Sequence, residues 1–157
     1  MPLETIYLVR HAQAVASEED RRRPLSERGR QQAEYLVDAL RELDLRVDIL
    51  YHSDKSRAAE TAEILEPVIA AQNGRHARRD LAPDDSVTDF LDDLAREEWK
   101  HVAIVGHLPF LERLASYLLA GDAERQLLHL TVASVAALVR GSDGWAVRWI
   151  VQPPAAL

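Results

Sequence analysis

Two hydrophobic periods alternate along this chain. Short unbroken apolar runs are separated by longer stretches in which apolar residues return every three or four positions. Ile6-Tyr7-Leu8-Val9, the run from Val47 to Tyr51 broken only by Asp48, and Val102-Ala103-Ile104-Val105 belong to the first kind. Such runs predict strands buried on both faces, here over about 4–9, 47–51 and 101–105. Leu36, Val37 and Leu40 form the stripe of a helix over about 27–42 with Ser26 as its N-cap, and further helices are predicted over 56–70, about 86–98 and 109–119. A short strand over 75–79 and two closing strands near 128–140 and 145–151 complete the order. Gly141-Ser142-Asp143-Gly144 supplies a hairpin turn between the last two, and Pro153-Pro154 ends regular structure. Strands alternating with helices predict an α/β chain with a single three-layer α/β/α domain. Its sheet is mainly parallel and closes on an antiparallel C-terminal hairpin. No internal repeat or linker divides residues 1–157, so one domain is expected.

Composition narrows the setting. At 157 residues and 47% hydrophobic, the chain can build one core but hardly two. No apolar run is long enough to span a bilayer, and Glu4 and Arg10 flank a strand-length stretch where a signal peptide would need a longer one. The absence of cysteine removes disulfides, thiol catalysis and thiolate metal sites, and a cytoplasmic setting is the default expectation. A formal charge of −7 disfavours nucleic acid and acidic membranes as partners. Any anion site must therefore be a local cluster of cations.

Such a cluster is legible at three strand-to-helix junctions. Arg10-His11 follows the first strand, His52-Ser53-Asp54-Lys55-Ser56-Arg57 links the second to a helix, and Gly106-His107 ends the strand before Leu108-Pro109. Ligands of open α/β sheets lie beyond the carboxyl ends of the strands, and free N–H groups at helix starts favour anions. Two arginines and two histidines delivered there suit a phosphoryl group. The remaining histidines, His52, His76, His101 and His129, lack metal-ligand spacing and read as surface or structural residues. Trp99, Trp145 and Trp149 read as packing, and Asp92-Asp93 with Glu97-Glu98 as a solvated helix face. The mixed charges from Glu18 to Arg23 read as a solvated loop.

With these residues in view, the chain resembles the histidine phosphatase superfamily, also called phosphoglycerate-mutase-like, and within it the small SixA-type phosphohistidine phosphatases. The resemblance rests on Leu8-Val9-Arg10-His11-Ala12, Arg23-Pro24-Leu25-Ser26 with Gly29 and Gln32-Ala33, Ser53 with Arg57-Ala58 and Thr61-Ala62, and Val105-Gly106-His107 with Pro109. Where the family's first motif usually reads Arg-His-Gly, Ala12 stands in the glycine position. The turn after His11 must then have ordinary backbone angles or be strained.

The resemblance implies a catalytic set of His11, Arg10, Arg57 and His107. His11 attacks phosphorus as a neutral imidazole, and nearby arginine charge is expected to lower its pKa. Arg10 and Arg57 hold the phosphoryl oxygens with planar forks, and His107 donates to the same group. Arg23 is placed near the mouth of the phosphate pocket. No metal and no cofactor are expected. For a proton donor, larger members imply the loop Leu81-Ala82-Pro83-Asp84-Asp85; Asp84 and Asp85 also fit as caps for the helix near Ser86, the reading their positions favour.

Between Arg57 and His107 two helices and two strands consume the chain, leaving little for a lid. The expected substrate is phosphohistidine on a protein, since an imidazole leaving group needs less protonation than an alkoxide. A small phosphorylated metabolite is the alternative, with a noncatalytic phosphate-binding module behind it.

Overall fold

The computed structural model describes residues 2–157. A six-stranded sheet is its centre, in the order β5-β3-β6-β1-β7-β8, with β1 at Thr5–Arg10, β3 at Ile49–Ser53, β5 at Arg75–Arg78, β6 at His101–Gly106, β7 at Val135–Gly141 and β8 at Gly144–Val151. β5, β3, β6 and β1 are parallel, and β7 and β8 close the sheet as an antiparallel hairpin. Successive side chains on β1, β3 and β6 point to opposite faces, so each central strand feeds two cores. Ile6, Leu8, Tyr51, Val102 and Ile104 pack under α3 (Val87–Arg96) and α4 (Phe110–Ala120). Val9, Leu50, Ala103 and Val105 pack under α1 (Glu27–Arg41) and α2 (Ser56–Leu65). This is the predicted three-layer arrangement, with a phosphoglycerate-mutase-like fold.

Two expectations need correction. The helix predicted over 56–70 stops at Leu65, because Pro67 opens a separate 3-10 turn, Glu66–Val68. The chain then enters β4, Ile69–Ala71, which pairs in parallel with β2, Leu45–Val47, in a two-stranded side sheet that the sequence did not announce. The strand predicted near 128–140 begins only at Val135. Residues 128–134 form a loop in which Ala133 takes φ +56° and Ser134 Oγ donates to the Thr131 carbonyl. That loop lies against the end of β1, and it turns out to matter for the site.

Helix α1 is set by two local devices. Ser26 caps it, accepting from the Gly29 N–H at 3.0 Å, as its position before the apolar stripe predicts. Gly29 is fixed by proximity: a Cβ there would lie 2.0 Å from the Gln13 carbonyl oxygen. The helix therefore sits directly on the chain that leaves His11, and Gln32 Oε1 accepts from the Gln13 N–H at 3.0 Å.

Candidate active site

The parallel strands end together, and their ends carry the chemistry. Arg10, the last residue of β1, is in register with Gly106, the last of β6, and His52 near the end of β3 is in register with Val105. Just beyond β1, the His11 N–H donates to the Gly106 carbonyl at 3.1 Å and its carbonyl accepts from the Ala133 N–H at 3.1 Å. Both sides of the His11 backbone are thus held. Ala12 is fully buried, its N–H donating to Thr61 Oγ1 at 3.1 Å, while Thr61 donates onward to the Arg57 carbonyl at 2.7 Å. One threonine therefore ties the His11 turn to the first turn of α2, which carries Arg57. Among the described residues, left-handed φ in non-glycine positions falls on Arg23, Asp44, Glu98 and Ala133. Ala12 is not one of them, so the turn after His11 needs no glycine.

His11 and His107 face each other with ring centroids 5.0 Å apart and planes inclined at 59°. The Nδ1–H of His11 donates to the Ala12 carbonyl at 2.7 Å, leaving the lone pair on Nε2. Burial pushes the His11 pKa down to about 4, with the charges of Arg57, Arg10 and Arg23 adding to the effect and the bond to Ala12 opposing it. Burial is thus the larger cause, where arginine charge alone was expected. His107 is lowered further, to about 3, by burial first and then by His11, Arg57, Lys55 and Arg23. Both rings are neutral at physiological pH.

Arg10 Nη1 donates to the Leu130 carbonyl at 2.9 Å, and the Leu130 N–H donates to Glu112 Oε2 at 2.8 Å. The backbone of one residue, Leu130, thus bridges an arginine and a glutamate from α4. Burial lowers the Arg10 pKa and the Glu112 charge opposes it. Arg57 is lowered by burial and by the charge of Arg23, and no carboxylate pairs with it among the described residues. Arg23, with φ +49°, donates from Nε to the Val15 carbonyl at 3.1 Å and is close enough to act on Arg57 and both histidines. Two buried side-chain polar atoms among the described residues have no hydrogen-bond partner: Arg10 Nε and His107 Nδ1. A buried donor without a partner costs roughly 1–3 kcal/mol, and both such atoms belong to this one cluster. An anion with several oxygens would satisfy them.

The structure brings Arg10, His11, Arg57, His107 and Arg23 together. It does not bring Asp85 to them: that carboxylate accepts from the Ala82 N–H at 2.9 Å within its own turn. Asp84 lines a separate cavity of about 370 Å³ with Pro109, Glu112 and Arg113. Neither aspartate caps α3, whose N-cap is Ser86 accepting from the Asp89 N–H at 3.1 Å. Glu112 and Lys55 were missed. The signal for Glu112 was its place in the first turn of the helix that follows His107; Lys55 stood at the opening of α2 beside Arg57.

Known proteins share part of this sequence and the whole of this fold. Residues 6–78, which run from β1 to β5 and include Arg10, His11, Arg23 and Arg57, match the model of the histidine phosphatase superfamily (branch 1). A structure of the protein histidine phosphatase SixA complexed with tungstate superposes with a TM-score of 0.78 at 19% identity, over 95% of this chain and 97% of that one. A protein from Nakamurella multipartitia assigned as a phosphohistidine phosphatase SixA gives 0.71 at 25% identity, over 99% and 100%. Over residues 6–78 the chain is similar to the histidine phosphatase superfamily, and over nearly its whole length it shares the fold of these phosphatases. The α-ribazole phosphatase from Shigella flexneri shares the fold as well, with a TM-score of 0.73 at 18% identity over 92% of this chain and 94% of that one. A search of curated proteins finds no match. Among the described residues, no helix is long and apolar enough to cross a membrane.

Proposed function

We propose that this protein hydrolyses phosphohistidine on a protein substrate through a covalent phospho-His11 intermediate. The observation that carries the reading is the pair of orphaned atoms, Arg10 Nε and His107 Nδ1, in the cluster that holds the neutral His11 ring. His11 Nε2 attacks phosphorus, the Nε2–P bond forms, and the bond from phosphorus to the substrate imidazole breaks. The substrate ring, protonated on its other nitrogen, departs as neutral imidazole. Water then attacks phospho-His11, releasing inorganic phosphate and restoring the neutral ring. Arg10, Arg57 and His107 stabilise the charge on the transferred group, each charge-assisted bond contributing about 1.5–3 kcal/mol. With that charge met by side chains, the scheme uses no metal, and turnover after dialysis against a chelator is expected to be unchanged.

The choice of an N–P bond rests on two features. Asp85 is engaged in its own turn and Glu112 accepts from the Leu130 N–H behind Arg10, so neither carboxylate stands free as a donor to the leaving group. An imidazole with a pKa near 6.5 leaves with little help, whereas an alkoxide needs a placed acid. The path from Arg57 to His107 is also largely consumed by α2, the 3-10 turn, β4, β5, α3 and β6, which leaves little chain there for a lid over a small substrate. A phosphorylated side chain presented by another protein fits such an opening.

A kinetic panel of phosphohistidine protein, phosphoserine peptide, sugar phosphates and nucleotides tests the substrate. Higher kcat/KM on phosphohistidine is expected. A clear preference for an O-phosphomonoester overturns it in favour of a small phosphorylated metabolite. The intermediate is tested separately, by quenching in alkali and mapping acid-labile phosphate to His11; a fully active His11→Ala variant would end that reading.

A further inference from the structure

Ser53 closes β3 and is buried, with its hydroxyl 2.7 Å from His107 Nε2. The Lys55 N–H donates to the same hydroxyl at 3.2 Å. A serine hydroxyl has one proton and two acceptor positions, and a neutral imidazole has one N–H and one bare nitrogen. The backbone N–H of Lys55 occupies one acceptor position. Two arrangements remain for the bond to His107.

In the first, Ser53 donates its proton to Nε2, and the imidazole proton must then reside on Nδ1. That nitrogen is buried and without a partner, in a ring whose centroid lies 5.0 Å from that of His11, so a free N–H is left beside the nucleophile. In the second, Nε2–H donates to Ser53. The serine proton then has no acceptor among the described residues, because the hydroxyl's two contacts are Lys55 N–H and His107 Nε2. A bare Nδ1 lone pair would meanwhile face an incoming anion. The first arrangement satisfies the hydroxyl on both sides and leaves a single free donor, the Nδ1–H, for a phosphoryl oxygen; the second leaves the buried hydroxyl proton without an acceptor and only a lone pair on Nδ1.

We infer that Ser53 is a positioning residue that fixes His107 as its Nδ1–H tautomer, making this ring a neutral hydrogen-bond donor to the transferred phosphoryl group. Through the phosphoryl role this rests on the proposed function, yet the tautomer itself can be read without substrate. Neutrality of the ring agrees with its burial beside Arg57 and Lys55, which hold it far below the ordinary histidine pKa. The design differs from that of His11. There a backbone carbonyl fixes the Nδ1–H and exposes the Nε2 lone pair; at His107 a hydroxyl occupies Nε2 and exposes the Nδ1–H. Two adjacent rings of one residue type are thereby given opposite roles, one to attack and one to donate.

The full chain labelled with ¹⁵N-histidine allows both rings to be read by long-range ¹H–¹⁵N correlation at pH 7. His107 is expected to show protonated Nδ1 and unprotonated Nε2. An Nε2–H tautomer or an imidazolium at that position overturns the inference. Ser53→Ala is expected to abolish the single tautomer and lower kcat about tenfold to a hundredfold, with KM moving far less, since one donor to the transition state is misplaced. A Ser53→Ala variant with unchanged His107 signals and wild-type kcat also overturns it. The wild-type spectrum needs no variant to fold. It stands whatever substrate the kinetic panel selects, so failure of the tautomer and failure of the substrate reading are separate results.

Discussion

Arg10 and Arg78 are both partly buried arginines near the carboxyl ends of parallel strands, and their surroundings are opposite. Arg78, last in β5, donates to both oxygens of Asp80 at 2.8 and 2.6 Å and to Asp93 at 2.5 Å. Its guanidinium also lies over the rings of Tyr51, at 4.7 Å, and Phe90, at 5.1 Å. Its hydrogen bonds to Asp80 raise its pKa above the ordinary arginine value, against the effect of burial. Arg10 has one peptide carbonyl and an orphaned Nε, and burial lowers its pKa. The first guanidinium meets carboxylates with three of its donors, leaves no buried nitrogen without a partner, and staples α3 to the sheet. The second has spare donors in a place where water cannot fully supply acceptors. Burial alone does not separate a structural arginine from a binding one; unmet hydrogen-bonding capacity does.

The largest effect expected from this contrast is catalytic. Arg10→Ala or Arg57→Ala is expected to lower kcat by about 10²–10³-fold, as loss of a preorganised donor does, while thermal melts barely move. Lysine at position 57 should rescue poorly, because one ammonium cannot reproduce a planar fork. Near-normal kinetics in a folded Arg57→Ala protein would erase the distinction between the two arginines. For Arg78→Ala the pattern should reverse. A loss of about 2 kcal/mol is expected, less than for a fully buried pair because Asp80 and Asp93 are 40% and 46% exposed, and kcat should change little. A melt equal to wild type would remove the staple reading.

A smaller effect concerns the spare donors themselves. Inorganic phosphate at ten times its Kd should stabilise the folded protein by about 1.4 kcal/mol, seen as a rise in Tm that Arg57→Ala loses. An equal rise in both proteins would place the anion elsewhere.

The smallest effect near neutrality is the dependence on pH. His11, lowered to about 4, and His107, lowered to about 3, stay neutral in the fold while the unfolded chain protonates them near 6.5. Their contribution is therefore complete above pH 6.5 and is lost as pH falls through 6.5 toward 4 and then 3. Melts over that window should decline with falling pH, and less steeply in His11→Asn. Identical slopes would contradict the depressed pKa of His11.

Much of this was legible locally. Ile6 to Val9 and Val102 to Val105 announced central strands, and the polar residues that follow each one were correctly read as sharing one end of the sheet. Pairs that need tertiary proximity were not legible. Nothing near Glu112 indicates that it would hold the Leu130 peptide behind Arg10, and nothing near Asp93 indicates Arg78; its helix face looked solvated. The sequence motif around Thr61 marked the residue, but its two hydrogen bonds join segments far apart in the chain. The early end of α2 was the avoidable miss. Pro67 marks the start of a new turn more readily than the continuation of an old helix.

One feature of the sheet bears on how the protein can be handled. β8 is an unpaired edge whose Val147 and Ile150 are exposed, so its backbone N–H and carbonyl groups form a ready template for another strand. At neutral pH, molecules carrying −7 repel one another and keep such edges apart. That protection vanishes near pH 5.3, where the net charge passes through zero. Turbidity is then expected to peak at the charge-neutral point, and a lysine at Val147 should suppress it without touching the catalytic end of the sheet.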